Sequence, residues 1–169
     1  MEAIRRIVAQ ASAAQIAAAI LAIALAAILG AWTFEAFGYL PCDLCLKQRI
    51  PYYAGIPLAG LTLWLALRPG GHAALPAAFL GLAVIFYASM AFGVYHSGVE
   101  WGMWPGPTGC TGNLAAAASP DDFLKQLQTA RVVRCDEVAI RILGLSLAGW
   151  NAVVSCFIGV AAAVGARRV

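Results

Sequence analysis

Charge is what this chain has least of. Only 11% of its 169 residues are Asp, Glu, Lys or Arg, while 62% are hydrophobic. A soluble domain carries about 25% charged and 45–50% apolar residues, so a free-standing soluble fold is excluded. The net charge of +3 is spread thinly. With no basic cluster and no aromatic–basic interleaving, a nucleic-acid partner is not expected. Histidine is limited to two residues, which leaves little material for a metal site. Internal repeats are missing too, and the only low complexity is the alanine bias of the apolar blocks, so residues 1–169 read as a single domain.

What is present is apolar sequence in long blocks. Residues 13–34 run for more than twenty positions before the first charge, enough to cross about 30 Å of hydrocarbon. Further blocks at 50–68, 76–95 and 142–166 give an all-α membrane protein, a bundle of four transmembrane helices with two outer loops at 35–49 and 96–141. The first block is longer than the ~7–15-residue core of a signal peptide and lacks a polar segment before a small-residue cleavage site, so cleavage is not expected. Four spans put both termini on one side. Lys and Arg favour cytoplasmic segments, but the count is nearly tied. Arg5, Arg6, Arg68, Arg167 and Arg168 lie on the terminal side, against Lys47, Arg49, Lys125, Arg131, Arg134 and Arg141 on the other. The terminal arginines have little competing acid, and paired cysteines persist in oxidising compartments. Cytoplasmic termini and outer cysteine loops follow. Within the long outer loop, Ser119-Pro120-Asp121-Asp122 reads as a helix start. Phe123, Leu124 and Leu127 make one face of a short amphipathic helix, lying on the outer leaflet or packed on other loop residues.

Four of the five cysteines fall in the two outer segments. Cys42 and Cys45 form a Cys-x-x-Cys at the entrance of the second span. Cys110 and Cys135 lie in the long polar stretch with 24 residues between them. Zinc prefers four ligands from close pairs or added histidines; His72 falls on the opposite face and leaves only His96, so no metal is expected. A structural disulfide at Cys42–Cys45 would close too small a loop to constrain the unfolded chain much. Redox exchange is the better use of the spacing. Cys45 should lie near a helix N-terminus, with Lys47 and Arg49 close by, an environment that favours a thiolate. Arg49 at the membrane boundary also has the plainer role of reaching to headgroups. Asp136 and Glu137 beside Cys135 would raise a thiol's pKa by like-charge repulsion. Cys156, inside the fourth span, reads as packing, Arg141 as a headgroup anchor, and Trp101 and Trp104 as interfacial aromatics. Four cysteines allow three pairings, and spacing does not choose among them.

The run Pro41-Cys42-Asp43-Leu44-Cys45-Leu46-Lys47-Gln48-Arg49-Ile50-Pro51-Tyr52, then Tyr95-His96-Ser97-Gly98-Val99-Glu100-Trp101-Gly102, then Cys135-Asp136-Glu137 before Leu143-Gly144-Leu145-Ser146, resembles the DsbB family of bacterial inner-membrane disulfide-bond formation proteins. The resemblance covers essentially the whole chain. It implies a quinone-dependent protein-disulfide oxidoreductase whose cofactor is ubiquinone or menaquinone. It also implies that Cys110 and Cys135 form the loop pair that takes electrons from a DsbA-like thioredoxin-fold oxidase in the periplasm. Cys110 would capture that partner, with Pro105, Gly106, Pro107, Thr108 and Gly109 extended in its groove, and Cys135 would then exchange with Cys42. Cys45 would face the quinone, with Arg49 beside the ring and His96 near it.

Two other architectures share parts of this pattern. A non-enzymatic tetraspan scaffold could carry structural disulfides in its outer loops, but it would keep them when offered a reduced thioredoxin-fold partner. A vitamin-K-epoxide-reductase-like enzyme is also four-helical and quinone-linked, yet it places its quinone-facing Cys-x-x-Cys in a late span, whereas here the pair precedes span two. A metal-binding transporter would need metal stoichiometric with protein.

Overall fold

The computed structural model describes residues 12–107 and 133–169. Helix α1 (Ala13–Ala36) starts at a capping box: the Ser12 hydroxyl accepts the Gln15 N–H, and the Gln15 side chain takes the Ser12 N–H in return. This satisfies two of the donors that a helix start leaves open. A short helix α2 (Asp43–Lys47) leads into α3 (Ile50–Leu67), which carries Pro51 in its first turn, where a missing N–H costs nothing. A 3-10 turn (Gly71–Ala74) joins α3 to α4 (Leu75–Glu100). Strands β1 (Arg141–Ile142) and β2 (Leu145–Ser146) pair antiparallel just before α5 (Leu147–Ala166).

Four of these segments, α1, α2–α3, α4 and α5, are long and apolar enough to cross a membrane. The protein is a four-helix membrane bundle. Each helix buries one stripe, as Ile16, Ile20, Ala24 and Ile28 do on α1. These meet Phe79, Leu82, Phe86 and Ile158 in a common core. The outward stripes keep Leu29, Trp64, Val84 and Phe157 exposed, which lipid, unlike water, accepts. In a bilayer helices gain little from hiding apolar surface, so small residues that allow close approach become the means of packing. The α4–α5 contact shows this: a Cβ on Gly93 would stand 2.9 Å from the Ala152 backbone nitrogen.

Two boundaries differ from the apolar blocks, and both matter for the site. Helix α4 continues past residue 95 to Glu100, so His96 sits on a helix rather than in a loop. Helix α5 begins at Leu147, because Leu143 and Gly144, with φ of 52° and 85°, turn residues 141–146 into a tight hairpin. Two consecutive positive φ angles define the turn whose twist matches a two-residue hairpin. The amphipathic helix expected from Ser119 onward lies outside the described residues.

Candidate active site

The Cys-x-x-Cys is built on a helix start. Cys42 is the N-cap of α2, with extended backbone, and its sulfur accepts the Cys45 N–H at 3.2 Å. That is the role a Ser or Asp oxygen usually plays. The spacing brings the two sulfurs to 2.8 Å, and both thiols are free. Cys42 is buried, while Cys45 is partly open.

His96, in the last turn of α4, is 1% exposed and places Nε2 3.6 Å from the Cys42 sulfur. Its other nitrogen, Nδ1, lies 2.6 Å from the side-chain amide nitrogen of buried Gln48. An amide nitrogen only donates. Nδ1 therefore accepts, and the ring proton is left on Nε2, aimed at Cys42. The Cys42 thiol is pulled down to about 5, first by the hydrogen bond from Cys45 and next by that from His96, against burial, which pushes it up. In this dithiol state the negative charge rests on Cys42. The expected sources of positive charge for Cys45 are engaged elsewhere: Lys47 pairs with Asp43 at 2.6 Å and Arg49 with Glu35 at 2.6 Å.

Cys135 is disulfide-bonded and buried. It shares one buried cluster with Cys42, Leu44 and Val99, so the second outer segment delivers an oxidised sulfur beside the Cys-x-x-Cys. Asp136 and Glu137 turn to Arg134, at 2.6 and 3.5 Å, and the Asp136 carboxyl is held below its ordinary value by that guanidinium. Their charge is answered there instead of weighing on Cys135.

Cys45 also borders an apolar cavity of about 540 Å³ between α1, α3 and α5. Cys45, Gln48 and Arg49 contribute to one part of its wall, with Ala31, Phe34 and Leu147 elsewhere on it. His96 lines a smaller recess beside Cys42 and Glu100 instead. The Cys42, Cys45 and His96 ligand atoms all lie within 4.8 Å of one another. Among the described residues that group numbers three, one short of the four a closed zinc site takes.

A family model described as "Disulfide bond formation protein DsbB" matches residues 13–165, from the first residue of α1 to the last turn of α5. The chain belongs to the DsbB family. It is also similar to an uncharacterized protein, RP370, of Rickettsia prowazekii (strain Madrid E), with 25% identity over 117 residues. That match covers 68% of this chain and 64% of the relative's length. No solved structure matches.

Of the residues expected to work in a DsbB-type protein, the structure brings Cys42, Cys45, His96 and Cys135 together, and puts Cys45 and Arg49 on the cavity. Pro105, Gly106 and Pro107 follow α4 as irregular chain at the surface or half-buried, while Thr108, Gly109 and Cys110 lie outside the described residues. Sequence reasoning passed over several members of the site, though Glu100, next to Trp101, reads from the sequence as a residue that organises the outer loop. Glu35, the acid that ends an uncharged run, holds Arg49. Gln48, within the cysteine motif, orients His96. Glu100 accepts a short hydrogen bond from Ser146, the α5 N-cap, which ties the end of α4 to the hairpin. Tyr52 and Asn151 join across the bundle, Tyr52 donating to Asn151 Oδ1 at 2.7 Å. The readable signal for these last two was a polar side chain inside or beside an apolar block, which in a membrane needs a reason.

Proposed function

We propose that the chain is a thiol oxidase of the bacterial inner membrane, with cytoplasmic termini. It would reoxidise a DsbA-like thioredoxin-fold partner in the periplasm and pass the electrons to ubiquinone or menaquinone. One observation carries this reading. The Cys42–Cys45 dithiol has a disulfide-bonded cysteine packed with it and an apolar cavity at Cys45.

The exchange runs in balanced steps. A partner thiolate attacks the Cys110–Cys135 disulfide at Cys110, and Cys135 leaves as a thiolate. Cys135 then attacks Cys42 of an oxidised Cys42–Cys45 pair, making a Cys42–Cys135 bond and releasing Cys45 as the thiolate that faces the cavity. The partner's second thiolate resolves its bond to Cys110, so the partner leaves oxidised by two electrons, and the freed Cys110 thiolate then attacks Cys135, restoring the Cys110–Cys135 bond and releasing Cys42 as a thiolate beside reduced Cys45. A quinone supplies the terminal sink, accepting two electrons and two protons. The other residues serve these steps: Cys42 is a good leaving group because His96 and the α2 start stabilise its thiolate, and the Gln48–His96 pair keeps a proton at that sulfur.

The residues fit such a group. The cavity is within the ~300–1,000 Å³ of small-molecule sites, is largely apolar, and is bordered by Cys45, Arg49 and Asn151, whose amide nitrogen has no partner among the described residues. The energetics fit too. Partner oxidases of this kind sit at about −120 mV, so the pair that drains them must itself be strongly oxidising. A stabilised Cys42 thiolate favours the dithiol form and moves the pair in that direction.

The test is reconstitution with ubiquinone-1 and a reduced DsbA-like oxidase, following quinone reduction by absorbance. Wild type should turn over and Cys45→Ser should not. An unchanged rate in Cys45→Ser would end this reading.

A further inference from the structure

Asparagine is uncommon inside a membrane helix, where an amide without partners is costly. Asn151 lies in the first turns of α5 on the wall of the 540 Å³ cavity. Its two ends are treated differently. Oδ1 accepts the Tyr52 hydroxyl at 2.7 Å, and the Ser155 hydroxyl stands 3.4 Å from it. Ser155 in turn lies 3.3 Å from the Tyr52 oxygen and donates to Ser89 at 2.9 Å. A chain of polar groups from α4 through α5 to α3 thus fixes which way the amide faces. Nδ2, with two N–H donors, is buried and has no hydrogen-bond partner among the described residues. Buried donors are nearly always paired, and here the surrounding network closes on Oδ1 alone.

Three other polar side chains of the wall have partners. Gln48 is bound to His96, Tyr52 to Asn151, and the Trp150 indole N–H to the Ile142 carbonyl at 2.8 Å. The Arg49 guanidinium, held to Glu35, stands at the N-cap of α3, and Asn151 stands on α5. A ligand with two carbonyl oxygens on a flat apolar ring therefore finds a cation on one helix and an unmatched amide donor on another.

We propose that Asn151 is a positioning residue for the acceptor, donating its Nδ2–H to a carbonyl oxygen of a bound para-quinone, with Tyr52, Ser155 and Ser89 holding the amide in register. This rests on the quinone reading above. It adds a donor outside the cysteine segment, on the helix that follows the second outer loop.

The chain contains two asparagines, Asn113 and Asn151, which makes the group directly observable. Full-length protein labelled with ¹⁵N-asparagine shows two side-chain NH₂ pairs, and Asn113→Ser identifies the one from Asn151. Saturating ubiquinone-1 or menaquinone-1 should move the Asn151 pair downfield. The quinone that binds tighter, followed by tryptophan fluorescence quenching, is the natural type. Asn151→Leu should raise the Kd about tenfold, the loss of roughly one hydrogen bond. It should also abolish the lowered frequency of one ¹³C-labelled quinone carbonyl in the infrared difference spectrum. Because the NMR measurement uses the native side chain, a misfolded variant does not decide the matter. If wild type binds quinone and the Asn151 pair stays in place, Asn151 has no such role and the functional reading survives. If wild type binds neither quinone, both fall together.

Discussion

Cys42 is the acidic thiol of the dithiol pair, and this has a measurable pH signature. An ordinary cysteine titrates near 9.0, and Cys42 near 5. A depressed value stabilises the folded dithiol form fully above about 9, and that contribution shrinks as pH falls and is gone below about 5. Alkylation of Cys42 by a small neutral reagent, read by peptide mass spectrometry on reduced protein, should rise with a midpoint near 5. Cys45→Ala should move the midpoint up furthest, since its hydrogen bond is the largest cause, and His96→Phe should move it up as well. A midpoint near 9 in wild type would remove the thiolate from the argument. Arg49 and Glu35 give a second test. With Glu35 about half open to solvent, the pair contributes only about 0–1 kcal/mol. Glu35→Gln should therefore leave thermal stability within that range while changing the KM for quinone several-fold, because the freed guanidinium no longer holds its place on the cavity wall. At this scale the sequence named the reacting cysteines but not their division of labour. Which sulfur caps a helix depends on the backbone turning at Pro41–Cys42, and ion pairs such as Glu35–Arg49 join residues fourteen positions apart across a loop.

Helices were the most legible elements, because an uncharged block longer than the hydrocarbon thickness has few other uses. Their ends were less so. Hydropathy marks where the apolar run stops, at Tyr95, whereas the α4 hydrogen bonds continue through His96 to Glu100 and set the histidine against Cys42. At the other boundary, Ile142 belongs by composition to the fourth block, but with Arg141 it pairs with Leu145 and Ser146, since a Leu-Gly turn can reverse the chain there. The bundle's tightness was hidden as well: a lone glycine in a span says little until its neighbour is known. Gly93 faces the α5 backbone at Ala152, so Gly93→Leu must separate α4 from α5 or bend one of them. Overpacking of this kind costs about 1–3 kcal/mol. The expected result is a clear fall in the detergent-solubilised unfolding temperature. Gly60→Leu, where nothing lies within 4 Å of the added Cβ, should leave it close to wild type.

For the whole molecule, the decisive property is which way the bundle faces. Four spans fix only that both termini share a side. The charge count cannot choose, since five Lys or Arg stand against six. The proposed orientation therefore leans on the disulfide at Cys135, which persists in an oxidising compartment. Fusions at Val169 test this directly. Green fluorescent protein there should fluoresce and alkaline phosphatase should be inactive, because the phosphatase needs disulfides that form only outside the cytoplasm. Insertion of the phosphatase at residues 105–107 should give the reverse. The opposite pattern would leave Cys42, Cys45 and Cys135 among cytoplasmic reductants. A chain so placed could not drain electrons from an oxidising partner, whatever its cavity binds.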